Sequence, residues 1–227
     1  MPVVAVLSRK GGSGKSTVAT HLAAWFAHLK VTVLLGDIDR QQSSRNWLRR
    51  RDPALPRILP WVMDQKSVTH TAPGVTHIVL DTPSALGGLD LARVVMSADV
   101  LVVPLGLAYF DRESGASFCA ELKALPRVAS GRCRLGVLGE NLPAPDDKAA
   151  SLHLWAKAQR VPYLGGLLQA PIYQRLQESG QSLFDLSDTA FPQERAQWNA
   201  LLQWLQPMVL DEAGPEILPA LSSALSS

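Results

Sequence analysis

Short apolar runs alternate with segments of helical length along most of this chain. Val3 to Leu7 is rich in β-branched residues and runs straight into glycines, which is how a buried parallel strand reads. Val18 to Leu29 carries apolar residues at helical spacing, and Val31 to Leu35 is a second apolar run. Strand, glycine loop, helix and strand in that order predict a βαβ unit. Further runs at Ile58 to Val62, His77 to Leu80, Val100 to Val103, Leu135 to Leu138 and Pro162 to Leu164 predict more strands. Segments such as Asp111 to Leu125 and Lys148 to Gln159 supply helices between them. The expectation is an α/β fold in three layers, a mostly parallel twisted sheet with helices on both faces. No internal repeat is visible.

Two stretches break the alternation. Asn141 to Asp147 reads as a surface loop in which Asp146 or Asp147 caps the next helix. From Pro207 to Ser227 the chain holds three acids, no basic residue and a serine-rich finish. It therefore divides into one domain over residues 1–206 and an acidic tail over 207–227, with a short amphipathic piece at Ile217 to Leu225 and loose last residues. Trp198 and Trp204, with Leu201, Leu202 and Leu205, have helical spacing and read as core.

Composition narrows the function classes. With 47% hydrophobic and 19% charged residues among 227, the chain is too apolar to be disordered. A net charge of +2 permits a nucleic-acid partner without requiring one. Cys119 and Cys133 are the only cysteines, too few for a disulfide scaffold, a zinc framework or an iron–sulfur motif. His21, His28, His70, His77 and His153 have no metal-ligand spacing. No apolar run reaches the ~18 residues of a membrane span, and Arg9 and Lys10 follow the first apolar stretch rather than precede it as in a signal peptide. A cytoplasmic protein is expected.

The chemistry concentrates in Lys10-Gly11-Gly12-Ser13-Gly14-Lys15-Ser16-Thr17. Phosphates need closely spaced backbone N–H donors, and glycine lets the backbone curl tightly around an anion. A helix starting near Lys15 would aim its positive end at the same point. Lys15 would reach the β- and γ-phosphates, and the Ser16 hydroxyl would coordinate Mg²⁺. Arg9 stands where a plain P-loop has its first glycine.

Lys10 is the odd feature. The arrangement Lys-Gly-Gly-x-Gly-Lys-Ser resembles the deviant Walker A motif of the ParA/MinD family of P-loop ATPases. Gly36-Asp37-Ile38-Asp39-Arg40-Gln41-Gln42-Ser43 is similar to that family's Asp-x-Asp-Pro-Gln segment, with Arg40 in place of its usual proline. His77-Ile-Val-Leu-Asp81-Thr82-Pro83 resembles its Walker B strand, and Ala98 to Pro104 and Ser179 to Ser182 are also similar to family stretches. The resemblance spans roughly residues 2–205 and is nearest to small ParA-type proteins without an N-terminal DNA-binding domain. It implies a P-loop ATPase using ATP and Mg²⁺, with Gly11 to Thr17 cradling the nucleotide. Asp81 would hold Mg²⁺ alongside Ser16, and Asp39 would orient the attacking water. Lys10 would reach across a nucleotide-sandwiched homodimer to the partner's phosphates. For Asp37 two roles stay open: assisting the metal-bound water, or shaping the loop as a structural carboxylate.

The resemblance further implies non-specific DNA binding by the ATP-bound dimer, and so phosphate-directed Lys and Arg side chains. Arg45, Arg49, Arg50, Arg51 and Arg57 form one basic group. Arg127, Arg132, Arg134, Lys157, Arg160 and Arg175 form another. The second is favoured, with Arg175, Arg160 and Lys157 as candidate contacts. The resulting expectation is a nucleoid-associated ATPase, stimulated by a cargo-bound adaptor protein, with no membrane partner. It would position or segregate a plasmid, a chromosome region, a chemoreceptor cluster or a protein microcompartment. The alternative is a nucleotide-dependent switch or scaffold with little turnover, acting on a protein or membrane partner.

Overall fold

The computed structural model describes residues 1–61, 74–143 and 149–210. His70, the expected cap at Asp146 or Asp147, the Ile217 to Leu225 piece and the tail beyond Leu210 lie outside these residues. Seven strands form one sheet in the order β3-β2-β4-β1-β5-β6-β7: β1 Val3–Val6, β2 Val33–Asp37, β3 Leu59–Pro60, β4 His77–Asp81, β5 Val100–Leu105, β6 Arg134–Leu142 and β7 Tyr163–Leu168. Every pairing among them is parallel. The expected α/β architecture is therefore present.

Alternate residues of each central strand serve opposite faces of the sheet. Val4, Val6, Val79, Val100 and Val102 join a core built with α1 (Lys15–His28), α2 (Ser43–Arg50), α7 (Pro171–Ser179) and α9 (Asn199–Val209). Val3, Ala5, Leu7, Leu80, Leu101 and Val103 join the opposite core, with α3 (Gly88–Ser97), α4 (Tyr109–Ala124) and α6 (Ala149–Ala158). Two short helices, α5 (Pro126–Ala129) and α8 (Pro192–Ala196), fill connections. Because both faces are covered, the strands read in sequence as continuous apolar runs.

Three boundaries differ from those read from the sequence. The strand expected from Ile58 is only two residues long at the sheet edge, where Pro60 lacks a ladder donor. Strand β7 continues past Leu164 through Gly165 and Gly166 to Leu168. A Cβ at Gly166 would lie 2.5 Å from Leu142 Cδ1, so the glycine that hides this strand in the sequence is what lets β6 and β7 meet. Helix α9 runs through Pro207 to Val209, past the domain boundary expected at 206, because Leu201, Leu205 and Val209 continue one buried stripe.

Candidate nucleotide site

All seven strands point the same way, so their C-terminal ends share one edge, where ligands of such sheets collect. The loop between β1 and α1 lies there. Gly12 and Gly14 both have positive φ, 71° and 79°, so the sharp turn needs residues without a Cβ. Gly14 caps α1 with no side-chain hydrogen bond, and the first turn holds no acid. The first N–H groups of α1 are thus left for an anion from outside the helix.

Lys15 is 6% exposed. Its Nζ donates to the Lys10 carbonyl at 3.2 Å and the Ser84 hydroxyl at 2.8 Å. Burial lowers its pKa, opposed by the charges of Asp81 and Asp39. The cleft it serves has a volume of about 1070 Å³ and is lined by Gly11 to Thr17, Asp39, Ser84, Glu140 and the start of α7. Gln177 of α7 closes over the loop, donating to Thr17 Oγ1 at 2.7 Å.

Asp81 ends β4 at 1% exposure. Burial pushes its carboxyl up to about 6, against hydrogen bonds from the hydroxyls of Ser44 and Ser16. The Ser44 hydroxyl donates to Oδ2 at 2.5 Å, while Oδ1 is buried with no hydrogen-bond partner among the described residues. An orphaned carboxylate oxygen beside two serine hydroxyls is a set of hard oxygen donors that fits Mg²⁺. Ser16 and Asp81 therefore lie together at the loop.

Asp37 is the register partner of Asp81 on the neighbouring strand. One of its oxygens accepts from the Asp39 N–H and the other from the Arg45 N–H, each at 3.0 Å. These bonds tie the carboxylate to the loop and to the start of α2. Asp39 lines the cleft and accepts from the Gln41 N–H at 2.9 Å.

Lys10 leaves the loop in another direction. It pairs with Asp111 at the start of α4, and its side chain is 44% exposed at a neighbouring cleft. Arg9 has a structural explanation: it pairs with Glu121 and sits 5.1 Å from the Phe118 ring centre, both on α4. The loop is braced from outside where a plain P-loop has glycine.

The basic residues are less cohesive. Arg175 is on α7, beyond the C-terminal end of β7, whereas Lys157 and Arg160 precede the N-terminal end of that strand. A six-residue strand of about 20 Å separates the two ends, and α6 and α7 cover opposite faces of the sheet. The three candidate DNA contacts do not form one patch on a single chain. In the other basic group Arg51 is structural, buried against Asp185.

The sequence motifs do not include Ser44, Ser84, Gln177 or Glu140, which the fold brings to the site. Ser84 follows the Asp81-Thr82-Pro83 motif directly, a usable signal; the other three have none, since only packing brings them to the loop. Both cysteines are buried, with thiols pushed up to about 11, and no metal-binding cluster of His, Cys, Asp or Glu occurs among the described residues. Nor is any described helix long and apolar enough to cross a membrane. His21 is a packed histidine, stacked 4.8 Å from Trp198, which is core as expected.

Sheet order, phosphate loop and paired strand-end carboxylates define a P-loop nucleotide-binding domain. A family model described as the CobQ/CobB/MinD/ParA nucleotide binding domain matches residues 4–187, and the chain belongs to that family. Maintenance of carboxysome distribution protein A of Gloeobacter kilaueensis is 42% identical over 118 residues, 48% of this chain and 51% of that protein. Protein ParA of Rhizobium radiobacter is 32% identical over 124 residues, 51% of this chain and 54% of that protein. The chain spans about half the length of these curated relatives. The structure of apo McdA from Cyanothece matches with a TM-score of 0.68 at 16% identity, covering 88% of this chain and 99% of that one, a likeness of fold.

Proposed function

We propose that this chain is a ParA-type ATPase that dimerises with ATP, binds non-specific DNA and positions or segregates an intracellular cargo, with hydrolysis stimulated by a partner protein. One observation carries the reading: two lysines leave the same glycine loop in different directions. Lys15 is buried toward Asp81 and Asp39, and Lys10 is half-exposed at the rim on Asp111. A lysine inside neutralises the phosphates of its own nucleotide, and a lysine at the rim can reach those of a second copy.

The loop N–H groups and the start of α1 hold the phosphates, and Lys15 sits where their charge is greatest. Ser16 and Asp81 would hold Mg²⁺, whose charge would offset that of the β- and γ-oxygens. Asp39 accepts a hydrogen bond from the attacking water and orients it. Lys10, released from Asp111, places its charge on the partner's phosphates as negative charge develops there. Dimerisation doubles a modest basic surface, which makes DNA binding nucleotide-dependent. Similarity to a carboxysome distribution protein favours a protein microcompartment as cargo, with the chain on the nucleoid.

The test is binding to non-specific duplex DNA with ATP·Mg²⁺, ADP or no nucleotide across a salt series, beside Lys10→Ala. Binding that requires ATP and Lys10 and weakens steeply with salt is expected. Indifference to DNA in every state refutes the nucleoid-riding model and leaves a nucleotide switch acting on another partner.

A further inference from the structure

The wall of the cleft contains a carboxyl group with no assigned role. Glu140 lies near the C-terminal end of β6 and lines both the nucleotide cleft and the adjoining cleft at Lys10. Its carboxyl lies so close beneath the phosphate loop that a Cβ on Gly14 would collide with it. Its Oε2 is buried and has no hydrogen-bond partner among the described residues.

The lysine and arginine side chains that line the two clefts are directed to other partners. The ammonium of Lys15 is directed to the Lys10 carbonyl and to Ser84. Lys10 is paired with Asp111 and Arg9 with Glu121. Across the cleft stands Asp39, of the same charge sign. From α7 the Tyr173 hydroxyl faces it, accepting a hydrogen bond from Trp198 Nε1 at 3.1 Å. An ionised carboxylate here would lie against the loop whose N–H groups receive polyphosphate, and the two anions would repel in a region that water screens poorly.

We propose that Glu140 is a binding determinant of the phosphate loop that must carry a proton when polyphosphate occupies the cleft, so that nucleotide binds together with one proton. The proton sits on the Glu140 carboxyl and comes from solvent; no covalent bond in the nucleotide changes. Burial already pushes this carboxyl up to about 8 in the free protein, and a bound polyphosphate raises it further. The inference rests on the nucleotide reading of the cleft.

The experiment measures the affinity of the whole chain for ATP·Mg²⁺ from pH 7 to 9.5, by calorimetry in two buffers of different ionisation enthalpy. For wild type the expected loss is about thirtyfold across that range, with close to one proton taken up per nucleotide at the alkaline end. Glu140→Gln, which keeps the shape and cannot ionise, binds at pH 9.5 about as tightly as wild type at pH 7. Two results overturn the proposal: wild-type affinity that is flat with pH, or an equal loss in Glu140→Gln. The second would make Lys15 the titrating group. Wild type that binds no nucleotide at any pH instead overturns the nucleotide reading itself. Proton uptake is read on wild type alone, so the test does not depend on how the variant folds.

Discussion

Arg51→Met removes one half of a buried ion pair that ties the cleft-side helix α2 to the segment after α7. Arg51 Nη1 and Nη2 donate to the two Asp185 oxygens at 2.7 and 2.6 Å, and the side chains are 4% and 0% exposed. Asp185 also accepts from the Ser182 N–H, the Ser182 hydroxyl and His28. Burial alone would raise its pKa, but His28, Arg51 and Ser182 together hold it well below the usual carboxylate range. Removing the guanidinium strands a carboxylate inside the protein, a loss of about 3–5 kcal/mol. For a domain of this size that lowers Tm by roughly 6–20 °C.

The assay is urea and thermal unfolding of wild type, Arg51→Met, Asp185→Asn and the double variant. The double variant should be less destabilised than the two single losses summed, by about 2 kcal/mol or more. The sign with pH follows from a depressed folded-state pKa: this stability is present above the unfolded carboxylate value and is lost as pH falls below it. The gap between wild type and Arg51→Met should therefore narrow below about pH 4. A Tm loss under about 3 °C, or additive single losses, would refute the reasoning.

His21 is fully enclosed, and burial lowers its pKa to about 4. Its neutral form contributes stability above pH 6.5 that is lost as pH falls toward 4, so wild type loses roughly 3 kcal/mol of its advantage over His21→Leu in that window; urea unfolding at pH 7 and 4.5 measures it, and an unchanged difference contradicts the assignment. Gly180 has φ 70°, and a Cβ there would lie 2.5 Å from the Arg51 nitrogen, whereas Gly131, at φ 73°, has open space around it. Gly131→Ala should cost about 1 kcal/mol for backbone strain alone and Gly180→Ala at least twice that by denaturant unfolding; equal losses would mean that the close approach of α2 and α7 tolerates a methyl group.

What was legible in the sequence is what depends on neighbours along the chain. Apolar runs of strand length predicted the sheet because both its faces are buried, and the glycines between β1 and α1 marked the phosphate loop because only that residue type turns there without strain. Asp39 and Asp81 are legible through the resemblance of their segments to family motifs, and Asp81 also because a carboxyl group that ends an apolar strand needs a partner. Strand β7 reads short in the sequence because glycines interrupt its apolar run, although they are what its partner strand requires.

The tertiary structure decided which side chains from distant segments meet. Ser44 on Asp81, Gln177 on Thr17, Arg51 on Asp185 and Glu140 beneath Gly14 join residues 37 to 160 positions apart. It placed Arg175 beyond one end of β7 and Lys157 and Arg160 before the other, although the resemblance favours all three as candidate contacts. It also resolved the geometry of Asp37, whose oxygens accept from backbone N–H groups. The division has a physical cause. Backbone conformation and strand burial follow from local residue types, whereas the partner and charge state of a buried polar group depend on which surfaces the folded sheet brings together.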